Sequence, residues 1–165
     1  MKAIGELVVY GANGVCKIED LREETFAGAP RLYYILRPMT EQGNSRIFVP
    51  ADNEKLVEEM KSILQPAELF ALVQELPPFT PAEWPADGRA RSKVCRELIA
   101  TGGREQLIRL VKTVGAKTKN RSSSEIAACN RAASMLYQEF SLVLDLVKED
   151  VVPFLLGQML PPVKE

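Results

Sequence analysis

Histidine is absent from this chain, and cysteine and tryptophan are scarce, with three Cys and one Trp among 165 residues. Without histidine the usual zinc ligand is missing, as is the side chain best suited to proton transfer near neutral pH. Cys16, Cys95 and Cys129 are widely spaced and odd in number, with no Cys-x-x-Cys or other metal-ligand spacing. That usage fits a reduced, cytoplasmic protein. Phosphate-binding glycine loops and dinucleotide fingerprints are also missing. Cys16 falls in a strand-like segment without an activating base, and the Glu23-Glu24 pair lies among solvated charges. An enzyme, a metal centre, a cofactor and a small-molecule substrate are therefore not expected. Long apolar runs are lacking too. Val151 to Leu160 is too short to span a bilayer, and charge arrives at the N-terminus before a signal core could form. A soluble protein without membrane contact is the expectation.

What is present is an ordinary apolar fraction of 46%, enough for a packed core, and an uneven charge layout. The formal net charge is only −1. Between Gly88 and Arg131, however, eleven Lys or Arg residues face three carboxylates, a local charge of +8. From Asn53 to Asp87, two basic residues face seven acidic ones, giving −5. Local clusters govern attraction of a polyanion, because salt screens charges beyond about 10 Å. The plain alternative is a solvated helical face.

The first fifty residues read as strands. Glu6 to Tyr10 is rich in β-branched and aromatic residues, and Gly11-Ala-Asn-Gly14 is a tight turn in which Asn-Gly supplies positive φ. Val15, Lys17, Glu19 and Leu21 alternate imperfectly with Cys16, Ile18 and Asp20. Gly28-Ala-Pro30 breaks the chain, Leu32 to Leu36 is a further strand, residues 41–45 a turn region, and Arg46 to Val49 the last strand before Pro50. Short strands at this spacing imply a small, strongly bent antiparallel barrel.

After Asn53 the period becomes helical. Asn53 caps a helix expected over Glu54 to Leu64, and Pro66 opens another that Pro77-Pro78 stop. Pro77 to Pro85 is a stiff connector carrying Phe79 and Trp84. Helices are expected from Gly88 to Thr101, ending at Gly102-Gly103, and from Arg104 to Gly115. Ser122-Ser-Ser-Glu125 is a capping box ahead of a long amphipathic helix, and a last helix is expected over Lys148 to Leu160. The fold class is α+β, with a boundary between Asn53 and Pro66: residues 1–55 form the barrel domain and residues 56–165 an all-α domain.

Gly5-Glu-Leu-Val-Val-Tyr10, Asn13-Gly14-Val15, Ile18-Glu19, Tyr34-Ile35 and Val49-Pro-Ala-Asp-Asn53, in this order, resemble the N-terminal domain of CarD-like bacterial transcriptional regulators. The same module occurs in the transcription-repair coupling factor. The Trp ahead of a basic helix, the Thr-Gly break, the Ser-Ser-Ser-Glu cap and Leu136-Tyr-x-Glu-Phe140 resemble that family's helical domain more weakly. The resemblance implies a Tudor-like (SH3-like) barrel that binds the β subunit of RNA polymerase by strand-edge pairing. It also implies a helical domain lying on promoter DNA, with an aromatic wedge in the minor groove. Relatives place Pro and His after the opening Tyr, where Gly11 and Ala12 stand here, and some place an Arg before Val-Pro, where this chain has Phe48. Arg46 shares a strand face with Phe48, since side chains alternate. Arg46 and Phe48 are thus the polymerase-binding candidates; Trp84, Arg89, Arg91, Lys93 and Arg96 are the DNA-binding candidates.

The implied function is transcriptional regulation, with open-complex stability tuned through sequence-independent phosphate contacts. An inserted indole would hold the duplex distorted at a cost of a few kcal/mol of unstacking. Two alternatives stand beside this. Read without the family, a lone Trp in a domain packs as a hydrophobic plug. The whole chain could equally serve as an adaptor that binds polymerase or another partner without touching DNA.

Overall fold

The computed structural model describes residues 1–39, 44–117 and 119–164. The chain divides into two compact units, Met1–Ile63 and Leu64–Glu165.

The first unit is one antiparallel five-stranded sheet. Its strands are β1 (Leu7–Tyr10), β2 (Val15–Glu24), β3 (Arg31–Pro38), β4 (Ile47–Pro50) and β5 (Met60–Ser62), in the spatial order β4-β3-β2-β1-β5. One face buries Val8, Cys16, Ile18, Tyr34, Leu36, Val49 and Met60. The β1–β2 turn is a single 3-10 turn over Gly11–Asn13. Its left-handed conformations fall on Gly11 (φ 52°) and Gly14 (φ 70°), residues without a Cβ to clash, and not on Asn13. Of the turn expected over residues 41–45, positions 41–43 lie outside the described residues.

The imperfect alternation of β2 has a physical cause. Ile18 pairs with Leu36, but Asp20 pairs with Ile35, so Glu19 is an extra residue in a bulge. Strict alternation would have put Leu21 on the face of Val15 and Lys17. The bulge returns it to the core side, where it packs against the buried cluster.

The helix expected over Glu54 to Leu64 is corrected. α1 covers only Glu54–Glu58, capped by Asn53, whose side chain accepts the Leu56 amide at 3.2 Å. The chain then enters β5, pairing Met60 with Tyr10 and Ser62 with Val8. A helix this short has little stability of its own, whereas the free edge of β1 offers a ladder and buries Met60 to 1% exposure. The two compact units divide between Ile63 and Leu64, so β5 belongs with the sheet. Among the described residues no pairing joins β4 to β5, so the hydrogen-bonded ladder is open and the expected barrel is not closed in it. Both are edge strands.

The second unit is helical: α2 (Pro66–Glu75), α3 (Gly88–Thr101), α4 (Arg104–Gly115), α5 (Ser123–Val143) and α6 (Val151–Leu155). α3 ends where the glycine pair stands. The Gly102 amide donates to the Leu98 carbonyl at 2.8 Å, and a Cβ there would sit 2.4 Å from that oxygen, so only glycine fits. α5 starts with the expected reciprocal cap. The Ser122 hydroxyl accepts the Glu125 amide at 3.1 Å, while the Glu125 carboxylate accepts the Ser122 amide at 3.0 Å. Leu107, Ile108, Val111 and Val114 of α4 meet Cys129, Ala133, Leu136 and Phe140 of α5 in the core. The last helix is shorter than expected. A 3-10 turn over Lys148–Asp150 leads into α6, which stops at Leu155 before Gly157 at φ 70°. Val163 then bridges Leu144. Among the described residues, no helix is long and apolar enough to cross a membrane.

Candidate functional site

Two surfaces follow from this framework, one in each unit. The first is the face of β3 and β4 turned away from the sheet's core, beside the free edge of β4. Register places its residues in rows, with Tyr33 against Pro50 and Ile35 against Phe48. At one end Arg31 binds Asp52, with 2.7 Å between guanidinium and carboxylate. At the other, Arg37 and Arg46 both reach the bulge residue Glu19, Arg37 at 3.3 Å and Arg46 through its Nε hydrogen bond. Between these charged ends lies an aromatic cluster. Phe26, from the β2–β3 loop, stands edge-on to Tyr33 at 5.2 Å and to Phe48 at 4.9 Å; Tyr33 and Phe48 are 6.2 Å apart. Ile35 is buried to 3% exposure, whereas Phe26 keeps 61%.

Arg46 and Phe48 thus share the outward face, as alternation requires. Arg46 is already ion-paired, and Phe48 belongs to the outer aromatic group, half-buried. Phe26 was missed by sequence reasoning. It sits in a break with no periodicity, and the only available signal was a large aromatic left in a loop beside Gly28-Ala-Pro30.

The second surface is on α3. Arg89, Lys93 and Arg96 are all exposed and, at steps of four and three, line one face of the helix. Among the described residues no carboxylate pairs with Arg89 or Arg96, and Lys93 has only a 4.0 Å contact to Glu97. Arg91 is not part of this face. It is ion-paired with the buried Glu125 and donates to the carbonyls of Pro85 and Ala86. Burial acts to raise the Glu125 carboxyl, but the Ser122 amide and the Arg91 guanidinium together outweigh it and hold it below its ordinary value.

Other members of the basic run also turn inward. Arg104 and Glu139 form an ion pair with side chains only 7% and 4% exposed. Arg109 donates to the Pro77 carbonyl at 3.0 Å and to Glu83 at 2.9 Å, and lies 4.4 Å over the Phe79 ring. That guanidinium, followed by the Thr80 amide and hydroxyl, pulls the Glu83 carboxyl down to about 2. Lys112 donates to the Val73 and Leu76 carbonyls at the end of α2, and desolvation lowers its pKa. Arg109 and Arg91 clamp the connector of residues 77–86 at its two ends, and it is bent by the Trp84 amide donating to the Thr80 carbonyl at 2.9 Å.

Trp84, the expected groove wedge, lies in the core of the helical unit. The indole is 7% exposed and stacked on Phe79, with centroids 5.7 Å apart and planes 11° from parallel. The Lys117 ammonium is 5.7 Å from its ring centroid. A large apolar ring beside a clamped connector gains more from core burial than from exposure. The cysteines are buried, and burial pushes the Cys95 and Cys129 thiols up, which makes them poor nucleophiles. Among the described residues no cluster of three or more His, Cys, Asp or Glu could hold a metal.

Residues 3–62 match the family model described as the CarD-like/TRCF RID domain. No curated protein matches the chain.

Proposed function

We propose, from the premise that residues 3–62 are a CarD-like RNA-polymerase-interacting domain, that this protein is a transcriptional regulator docking on the polymerase β subunit through the free edge of β4. The observation that carries this reading is that edge inside the matched domain, which no strand pairs among the described residues. An extended segment of the partner can add to it, main-chain hydrogen bonds giving affinity and alternate side chains giving selectivity. Polymerase works on DNA in the cytoplasm, and the α3 face of Arg89, Lys93 and Arg96 has the chemistry to follow phosphates there. Such contacts displace counterions without reading sequence and would modulate the lifetime of the open promoter complex.

With Arg91 and Trp84 occupied inside the protein, three phosphates are the natural count. The DNA term should then fall with salt at a slope of about −2.7 in log K against log concentration. Titration on an upstream-fork promoter, with and without polymerase and over a range of salt, tests it; a flat dependence refutes DNA contact. The inward turn of Arg91, Arg104, Arg109 and Lys112 favours a second reading, an adaptor that binds polymerase and leaves DNA alone. That reading expects the flat result.

A further inference from the structure

The sheet's outward face has the layout of a protein interface. Its centre is apolar, formed by Phe26, Tyr33 and Phe48, with the buried Ile35 paired across from Phe48. Each end is closed by charges that already have partners within the domain: Arg31 with Asp52, and Arg37 and Arg46 with Glu19. Interfaces between proteins are built this way, with charge depleted at the centre, aromatics enriched there and a polar rim. The face is continuous with the outer edge of β4, unpaired among the described residues, because Phe48 belongs to that strand.

We infer that Phe26 is a specificity-determining contact of the polymerase-docking site, and that the partner meets this face with apolar side chains rather than acidic ones. The inference rests on the docking proposed above. A strand added to β4 projects alternate side chains onto the outward face, where they reach Phe48 and then the exposed ring of Phe26. An acidic partner segment would find Arg46 and Arg37 already neutralised by Glu19. It would also lose its own hydration against three aromatic rings. An aliphatic or aromatic segment loses nothing of that kind and buries the exposed part of Phe26, which packs on other side chains and so has little freedom left to lose.

The test is the affinity of the full-length chain for core RNA polymerase in the absence of DNA, measured at low and high salt for the unmodified chain, Phe26→Ala and Phe26→Leu. The expected result is a dissociation constant that is nearly independent of salt. It should rise about tenfold in Phe26→Ala and recover in part in Phe26→Leu, with unchanged thermal unfolding, since Phe26 lies outside the sheet's buried core. Phe26→Ala binding as tightly as the unmodified chain, or affinity collapsing with salt, overturns the inference while leaving the docking reading intact. No binding by the unmodified chain at any salt overturns both.

Discussion

Beside the outer aromatics of the sheet unit, Arg31, Arg37 and Arg46 each have a carboxylate against them, and the carboxylates come from the same domain. In the helical unit the cations divide. Arg91, Arg104, Arg109 and Lys112 hold buried acids and carbonyls, whereas Arg89, Lys93 and Arg96 point to solvent. An arginine count therefore says little about a partner until its counter-charges are located. The sheet face, with its charges matched, suits an apolar protein surface. The α3 face, with its charges largely unmatched, suits a polyanion.

The strongest way to break this comparison is to attack an inward cation. Arg104→Ala leaves Glu139 buried without its partner and should destabilise the helical unit by about 3–5 kcal/mol. Urea unfolding followed by Trp84 fluorescence reads that unit directly. A loss below 1 kcal/mol would place the pair among ordinary surface contacts. Next, Trp84→Ala should cost about 3 kcal/mol through the cavity it opens. Trp84→Phe should cost less than about 1.5 kcal/mol and keep full affinity for DNA. A DNA defect in a stable Trp84→Phe protein would support the wedge role for the indole.

Outward cations should behave oppositely. Replacing Arg89, Lys93 and Arg96 together by Ala should leave stability within about 0.5 kcal/mol. It should also abolish the salt-dependent part of DNA binding, as read by fluorescence anisotropy. The smallest effect concerns the Glu83–Arg109 contact. The Glu83 pKa is lowered in the folded state to about 2 from an ordinary 4.5, so its contribution is fully present above the ordinary value and is lost as pH falls toward 2. Glu83→Gln should remove that part of the acid sensitivity, seen as a flatter thermal-unfolding profile between those two values.

Much of this architecture was legible in the residues, because its signals are local. The Gly102-Gly103 stop, the Ser122–Glu125 capping box, Pro66 at the start of α2 and the strand-like run before Pro50 each act within a few positions. What escaped depends on distant partners. Met60 to Ser62 become a strand because β1, fifty residues earlier, has an edge to fill. Glu19 leaves the alternation because the register of β3 requires a bulge. Arg91 turns inward toward Glu125, thirty-four positions away, and Arg104 toward Glu139 at thirty-five. For the candidate sites, strand parity found the shared face of Arg46 and Phe48. It had no means of finding Phe26, whose place comes from ring contacts across a loop.

The most direct test of the division between the two faces is amide hydrogen exchange on the full chain, with and without the isolated polymerase β-subunit lobe. Slowed exchange at residues 46–49 on the free side of β4, with residues 60–62 of the opposite edge and all of α3 unchanged, is the predicted result. Unaltered exchange along β4 in a chain saturated with the lobe, or protection centred on α3, would contradict it.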